Sequence, residues 1–469
     1  MRSNGEFVVH EESGKATATE PTTVHPLWSA PFVGADPVES SLTVPGSKSL
    51  TNRWLVLAAL ADGPCRLRSP LHSRDSALMI AALRELGATI TEIPGDSPYG
   101  PDLGIEPIPR PFTGGDGQRS VDCGLAGTVM RFVPPLAALI PGATQFDGDP
   151  HARKRPMGPV VQALRGLGIT VDDGGAGALP FTIHGPAEGG TVTGGVLSVD
   201  AAGSSQFVTA MLLVGSQFTE GLTLRHDSPA GAAVPSMPHV EMTVDVLHQV
   251  GVRVDDSVPA QWTVAPGPIR AFDVRVEQDL SNAGPFLAAA VVTGGTVTVP
   301  HWPEETTQGG AHWAQILPRF GATVDLQDGQ FTVRGPSVVT GVDLDLSEAG
   351  ELAPTVAAIC AVATSECRLR GIAHLRGHET DRLAALTAEI NRLGGDAEET
   401  ADGLIIRPAA LRGGEFRSYD DHRMATAGAV IGLVVDGVRV ENIATTAKTL
   451  PQFPELWADM VTGSARGRG

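Results

Sequence analysis

The chain repeats itself, and the repeat limits what it can fold into. Six apolar runs with helical spacing, at 54–60, 132–140, 207–214, 286–292, 354–362 and 425–435, are each followed by a turn and a short alternating stretch. The turn glycines Gly63, Gly142, Gly221, Gly295 and Gly437 fall 79, 79, 74 and 142 residues apart, the last interval spanning two repeats. The fifth copy carries Ser365-Glu366 at that place. A second beat runs in phase with the first. Helix–glycine–strand patterns end at 81–90, 161–171, 244–254, 313–324 and 386–397, and a shorter sixth copy lies at 453–460. The glycines Gly87, Gly168, Gly251, Gly321 and Gly394 suit a left-handed C-terminal cap. Each unit therefore predicts two helices and several strands. One helix is apolar all round and should be buried; the other is amphipathic and should lie outside. Three units per half give two globular halves, and 469 residues suffice for two cores.

What precedes each apolar run is polar. The first copy opens on Pro45-Gly46-Ser47-Lys48-Ser49-Leu50-Thr51-Asn52-Arg53, a tight turn feeding a helix with two cations. The second opens on Gly124-Leu125-Ala126-Gly127-Thr128-Val129-Met130-Arg131 and the third on Gly203-Ser204-Ser205-Gln206. The fourth has Asp279-Leu280-Ser281-Asn282, the fifth Gly350-Glu351-Leu352, the sixth Asp420-Asp421-His422-Arg423. A helix N-terminus has unpaired N–H groups and the positive end of the dipole, so an anion is favoured there. Any single copy is equally an ordinary N-cap, and the fourth reads as one. Six together predict several tips aimed into one cleft. Each dipole favours an anion by roughly 0.3–2 kcal/mol, and fixed arginines add charge-assisted bonds.

The net charge of -19 argues against nucleic acid or an anionic membrane surface as a partner, so an anion-binding cleft must be a local basic patch. Lysine is scarce: Lys15, Lys48, Lys154 and Lys448 are the full set. Asp149-Pro150-His151-Ala152-Arg153-Lys154-Arg155-Pro156 is strongly basic, though a solvated loop is the plainer reading. His374-Leu375-Arg376-Gly377-His378-Glu379-Thr380-Asp381-Arg382 mixes acids, bases and histidines ahead of an amphipathic helix. His378 and Glu379 have no third ligand at metal spacing, so no metal site is expected. Cys65, Cys123, Cys360 and Cys367 form no CxxC pair and read as free, mostly buried thiols of a reducing cytosol. Residues 1–24 are polar without an apolar h-region and read as a disordered extension. No apolar run reaches the roughly 20 residues of a membrane span.

Taken together, P-G-S-K-S-L-T-N-R, G-x-A-G-T-x-x-R, K-R-P-M-G, S-S-Q-F, H-E-T-D-R-L, D-H-R-M-A and T-A-K-T closely resemble the EPSP synthase family. The resemblance covers about residues 24–460. It implies an enolpyruvyl transferase-like α/β fold: two domains of three βαβαββ units each, packed as inside-out α/β barrels. The domains would be 25–46 plus 277–469, and 47–276, with the site in the cleft between them. It implies transfer of the enolpyruvyl group of phosphoenolpyruvate to the 5-hydroxyl of 3-phosphoshikimate, without metal or organic cofactor, in a cytoplasmic monomer. Carried over by position, Lys48, Ser49, Arg53, Ser204, Ser205, Gln206, Ser236, Glu351 and His378 would hold phosphoshikimate. Lys48, Gly127, Arg155, Gln206, Arg382, Arg423 and Lys448 would hold phosphoenolpyruvate, with Arg382 and Arg423 on its carboxylate. Arg131, Asp279 and Asp421 would orient these groups.

The reaction needs a base at the attacking hydroxyl and an acid at C3 of the enol. Glu351 is the expected base; Lys48, with Glu379 as competitor, is the expected acid. The sequence departs from the common family pattern in Leu125 for asparagine, Glu351 for aspartate, His378 for lysine, His374 for asparagine and His239 for tyrosine. Phe132 stands where proline is usual, so glyphosate sensitivity is not readable from that motif. The nearest rival is a UDP-N-acetylglucosamine enolpyruvyltransferase, which would need a loop cysteine; Cys123 lacks the basic loop around it. A nucleotide kinase would need G-x-x-x-x-G-K spacing, which Gly46-Ser47-Lys48-Ser49 does not supply. A non-catalytic anion-binding repeat scaffold is the third reading.

Overall fold

The computed structural model describes residues 25–34, 36–115 and 117–466. The expected extension at 1–24 lies outside them. Twelve α-helices follow in order among the described residues. They are α1 (Lys48–Ala59), α2 (Arg74–Glu85), α3 (Gly127–Ala137), α4 (Gly158–Gly166), α5 (Gln206–Gly215) and α6 (Pro238–Gln249). Then come α7 (Leu280–Thr293), α8 (Trp313–Ile316), α9 (Ala353–Ala361), α10 (Arg382–Arg392), α11 (His422–Val434) and α12 (Phe453–Arg466).

The odd-numbered helices, apart from their first residues, are almost wholly buried, as their all-round apolar sequences require. α1, α3 and α5 pack on one another, and so do α7, α9 and α11. One hydrophobic core runs from Leu50 to Val276. The other joins Val38 and Val44 to residues from Leu280 to Met460. The even-numbered helices present one apolar face each; α2, for example, buries Met79, Ala82 and Leu83. Its start is fixed by a reciprocal cap between Ser73 and Ser76.

Among the described residues the strands form six separate sheets, five of four strands and one of three. No sheet closes on itself, so "inside-out barrel" here describes sheets arranged around helices. The unit built on α3 and α4 shows the repeat in full. Arg119–Asp122 pairs parallel with Ala143–Asp147 across α3, and Phe181–His184 and Thr170–Asp172 follow antiparallel. Two units borrow their first strand from distant sequence. Asp273–Arg275 pairs parallel with Cys65–Arg68, and Glu39–Ser41 pairs parallel with Thr296–Pro300.

That borrowing makes the chain pass between the two cores twice, and the crossings lie side by side. Ser47 N–H donates to Glu277 O at 2.7 Å and Asp279 N–H to Pro45 O at 2.9 Å. Gly46 and Gln278 form an antiparallel bridge between them. A Cβ at Gly46 would collide with the Ser69 carbonyl, so only glycine fits this crossing.

The fourth outer helix departs from the even beat. A single helix was expected before Gly321, but the segment breaks into 3₁₀ turns at Gly309–His312 and Leu317–Phe320 around the four residues of α8. Pro318 causes the second break: it has no N–H to donate and it restricts Leu317. Among the described residues no helix is long and apolar enough to cross a membrane.

Candidate active site

All six inner helices open onto one cavity of about 300 Å³ between the two cores. α1 brings Lys48 and Ser49, α3 Gly127 and Thr128, and α5 Gln206 behind Gly203 and Ser204. α7 brings Asp279 and Ser281, the 3₁₀ turn ahead of α9 brings Glu351, and α11 brings His422 and Arg423. The cleft expected from the helix openings is thus built from all six. Asp279 does cap α7, accepting from Asn282 N–H at 2.9 Å. Its other oxygen accepts from Lys48 N–H at 3.1 Å, so this cap also ties α1 to α7.

The wall carries Lys48, Arg131, Arg155, Arg382 and Arg423 against the carboxylates Asp279, Glu351 and Glu379. An acidic protein therefore holds a basic cleft. Arg382 is the most tightly bound cation: Nε donates to Asp421 Oδ2 at 2.7 Å and Nη2 to Glu379 Oε2 at 3.0 Å. Burial works against its charge, but Asp421 and Glu379 outweigh it and raise its pKa. Lys448 Nζ donates to the other Glu379 oxygen at 2.5 Å. Burial pushes the Glu379 carboxyl up, yet Lys448, Arg382 and Arg155 hold it well below the usual range. Glu379 is consequently an ionised counter-ion between two cations.

Other groups on the wall are less satisfied. The Arg423 guanidinium has no side-chain hydrogen bond or ion pair among the described residues, and burial lowers its pKa. Arg155 donates Nη1 to Leu125 O at 3.1 Å while its Nε is buried without a partner. These are donors left for a ligand with several anionic oxygens. Lys48 lies 3.7 Å from Asp75. Burial lowers its pKa, Asp75 opposes this, and Lys448 adds to it. Glu351 is buried; its Oε1 accepts from Ser281 Oγ at 3.5 Å and its Oε2 has no partner. Burial pushes this carboxyl up, but His239 and Arg423 bring the balance below the ordinary value.

A sequence profile of the EPSP synthase (3-phosphoshikimate 1-carboxyvinyltransferase) family matches residues 33–457. The chain belongs to the EPSP synthase family. A 3-phosphoshikimate 1-carboxyvinyltransferase from Kocuria rhizophila is 63% identical over 438 residues, 93% of this chain and 96% of that protein. Among solved structures, an EPSP synthase from Acinetobacter baumannii superposes with a TM-score of 0.71 at 23% identity, covering 92% of this chain and 97% of that one. The enolpyruvyl transferase NikO from Streptomyces tendae gives 0.70 at 16% identity, covering 93% and 98%. At such identities the two structures speak for the fold alone.

Against the residues expected for an EPSP synthase family site, the cavity gathers Lys48, Ser49, Gly127, Arg155, Ser204, Gln206, Glu351, His378, Glu379, Arg382 and Arg423. Four others are not on its wall. Arg53, one turn into α1, is buried behind the wall, donating Nε to Thr243 Oγ1 at 2.9 Å and Nη2 to His239 O at 2.8 Å. Among the described residues no carboxylate pairs with it, and burial pushes its pKa down to about 9. Lys448 stands behind Glu379, Ser205 is buried beside Ser204, and Ser236 lines a neighbouring depression with Ser347 and His374. The wall also includes Gln308, Thr449, Met242 and His239, which sequence reasoning gave no role. Gln308 and Thr449 sit in irregular connections, where no periodic pattern marks them.

Proposed function

We propose that this chain is a 3-phosphoshikimate 1-carboxyvinyltransferase. It moves the enolpyruvyl group of phosphoenolpyruvate to the 5-hydroxyl of 3-phosphoshikimate and releases phosphate. The observation that carries the reading is one cavity holding unpaired guanidinium donors beside a buried carboxylate oxygen with no partner. Arg423, with Arg382, receives the donor's carboxylate, and Lys48, Arg155 and the α3 N-terminus at Gly127 receive its phosphate. Ser49, Ser204 and Gln206 hold the phosphoshikimate oxygens. Lys448 acts from behind through Glu379. Arg53, Ser205 and Ser236 reach the substrate only if the cleft rearranges.

Chemistry follows from this placement. The Glu351 carboxylate takes the proton of the attacking hydroxyl, and Lys48 gives a proton to C3 of the enol. The hydroxyl oxygen bonds to C2, forming a tetrahedral adduct; loss of a C3 proton and of phosphate then restores the enol ether. Glu379, ionised between Lys448 and Arg382, serves better as their anchor than as the acid. The units 25–46 plus 277–469 and 47–276 close on the anions that bridge them. The enzyme works as a cytoplasmic monomer and takes small-molecule substrates.

Purified protein should release phosphate only when phosphoshikimate and phosphoenolpyruvate are both present. Release with UDP-N-acetylglucosamine in place of phosphoshikimate would install the rival reading. Cys123 disfavours that rival, since it is fully buried and burial raises its pKa. Closure is checked by small-angle scattering: phosphoshikimate plus glyphosate should reduce the radius of gyration, and an unchanged radius would refute a closing cleft.

A further inference from the structure

His239 begins the first turn of α6, and its ring reaches across the cleft to the opposite half. Its Nε2 lies 3.6 Å from Glu351 Oε1. The same oxygen faces Ser281 Oγ, whereas Oε2 is buried and unpartnered. The two carboxylate oxygens are therefore not equivalent: one has neighbours on both sides of the cleft, the other is shut away from solvent without a partner. The mounting of His239 is firm. Its carbonyl accepts from Arg53 Nη2 at 2.8 Å and from Thr243 Oγ1 at 2.9 Å.

We propose that His239 is a positioning residue for Glu351, donating Nε2–H to Oε1 and thereby holding the carboxylate in the orientation that takes the proton of the substrate hydroxyl. The proposal rests on the reading of Glu351 as the base. At 3.6 Å the contact is just beyond hydrogen-bond reach, so roughly half an ångström of closure completes it. The charges around the imidazole suit a neutral donor. His239 faces Glu351 on one side and Arg53, Arg423 and Lys48 on the others, with His374 beyond. Glu351 faces Ser281, Arg423, His312 and His374 besides His239. Burial first, and the three cations after it, push the His239 pKa down against the pull of Glu351. A neutral imidazole orients the carboxylate without suppressing its basicity as an imidazolium would.

The test is the pH profile of kcat for His239→Ala and His239→Gln, with His239→Phe standing in if the alanine variant does not fold. Loss of the donor should lower kcat about 10- to 100-fold with both KM values within about threefold. Without that donor the Glu351 pKa rises, so the acid limb of kcat should move to higher pH by roughly half a unit to one unit. Glutamine, which keeps an N–H donor, should recover most of the rate. An unchanged kcat and acid limb with a raised KM for phosphoshikimate would overturn the proposal and make His239 a plain substrate contact. Glu351→Gln measured alongside separates the two levels. If it turns over normally, the base reading fails and this proposal with it. If it is inactive while His239→Ala matches wild type, only the positioning role fails.

Discussion

Glu351→Gln is expected to lower kcat by about 100- to 10,000-fold while KM for each substrate stays within about threefold. Glutamine keeps the length and volume of the side chain, and its carbonyl still accepts from Ser281 Oγ on the Oε1 side. What it loses is the basicity of the carboxylate. Loss of the negative charge also removes an attraction felt by Arg423 and His239, since Glu351 favours the protonated form of each. That secondary effect touches binding, so it appears in KM; loss of the base appears in kcat. Glu351→Asp keeps the charge and withdraws it by one methylene, and should retain more activity than glutamine. Steady-state kinetics with both substrates varied decides the matter. A glutamine variant within a few-fold of wild type would remove Glu351 as base.

The parts of this fold that were legible in the sequence are those set by local periodicity. Helical runs such as 54–60 and 207–214 are apolar on every side, so only a buried helix accommodates them, and both α1 and α5 are buried. The polar openings were legible because a buried helix tip needs partners for its N–H groups; the shared cleft follows from six such tips in two bundles. Pairing between distant segments was not legible. Nothing near Lys448 reveals that it stands behind Glu379, 69 residues away in sequence. Arg53 looks like a ligand-facing cation, on the same helix face as Ser49, yet one turn deeper it is taken up by Thr243 and the His239 carbonyl. Gln308 reaches the cavity from a connection shaped by Glu277, whose carboxylate accepts from its Nε2 at 2.8 Å. His239 sits opposite Glu351 only because the halves face each other, which no window of sequence contains.

Arg382→Leu is expected to cost about 3–5 kcal/mol of stability and to abolish measurable turnover. Asp421, fully buried, accepts both Nε and Nη2 of Arg382, and Glu379 accepts Nη2 as well. Leucine fills much of the space but leaves Asp421 with the N–H of Arg423 as its one remaining side-chain hydrogen bond among the described residues, the His422 ring standing 3.7 Å away. Glu379 retains Lys448, so the larger part of the penalty falls on Asp421. Arg382→Leu combined with Asp421→Asn should therefore recover part of the lost stability without recovering activity. The pH dependence follows from the Glu379 carboxyl, whose folded pKa lies below its unfolded value near 4.3. Such a group contributes stability that is present above the unfolded pKa and lost as pH falls toward the folded one. Removing Arg382 raises the folded pKa, so the variant has less of this stability to lose. The gap between wild type and variant should be widest at neutral pH and should narrow as pH drops below about 4. Urea midpoints across that range measure it. A gap independent of pH would mean that Arg382 supports the fold by packing rather than by holding Glu379 ionised.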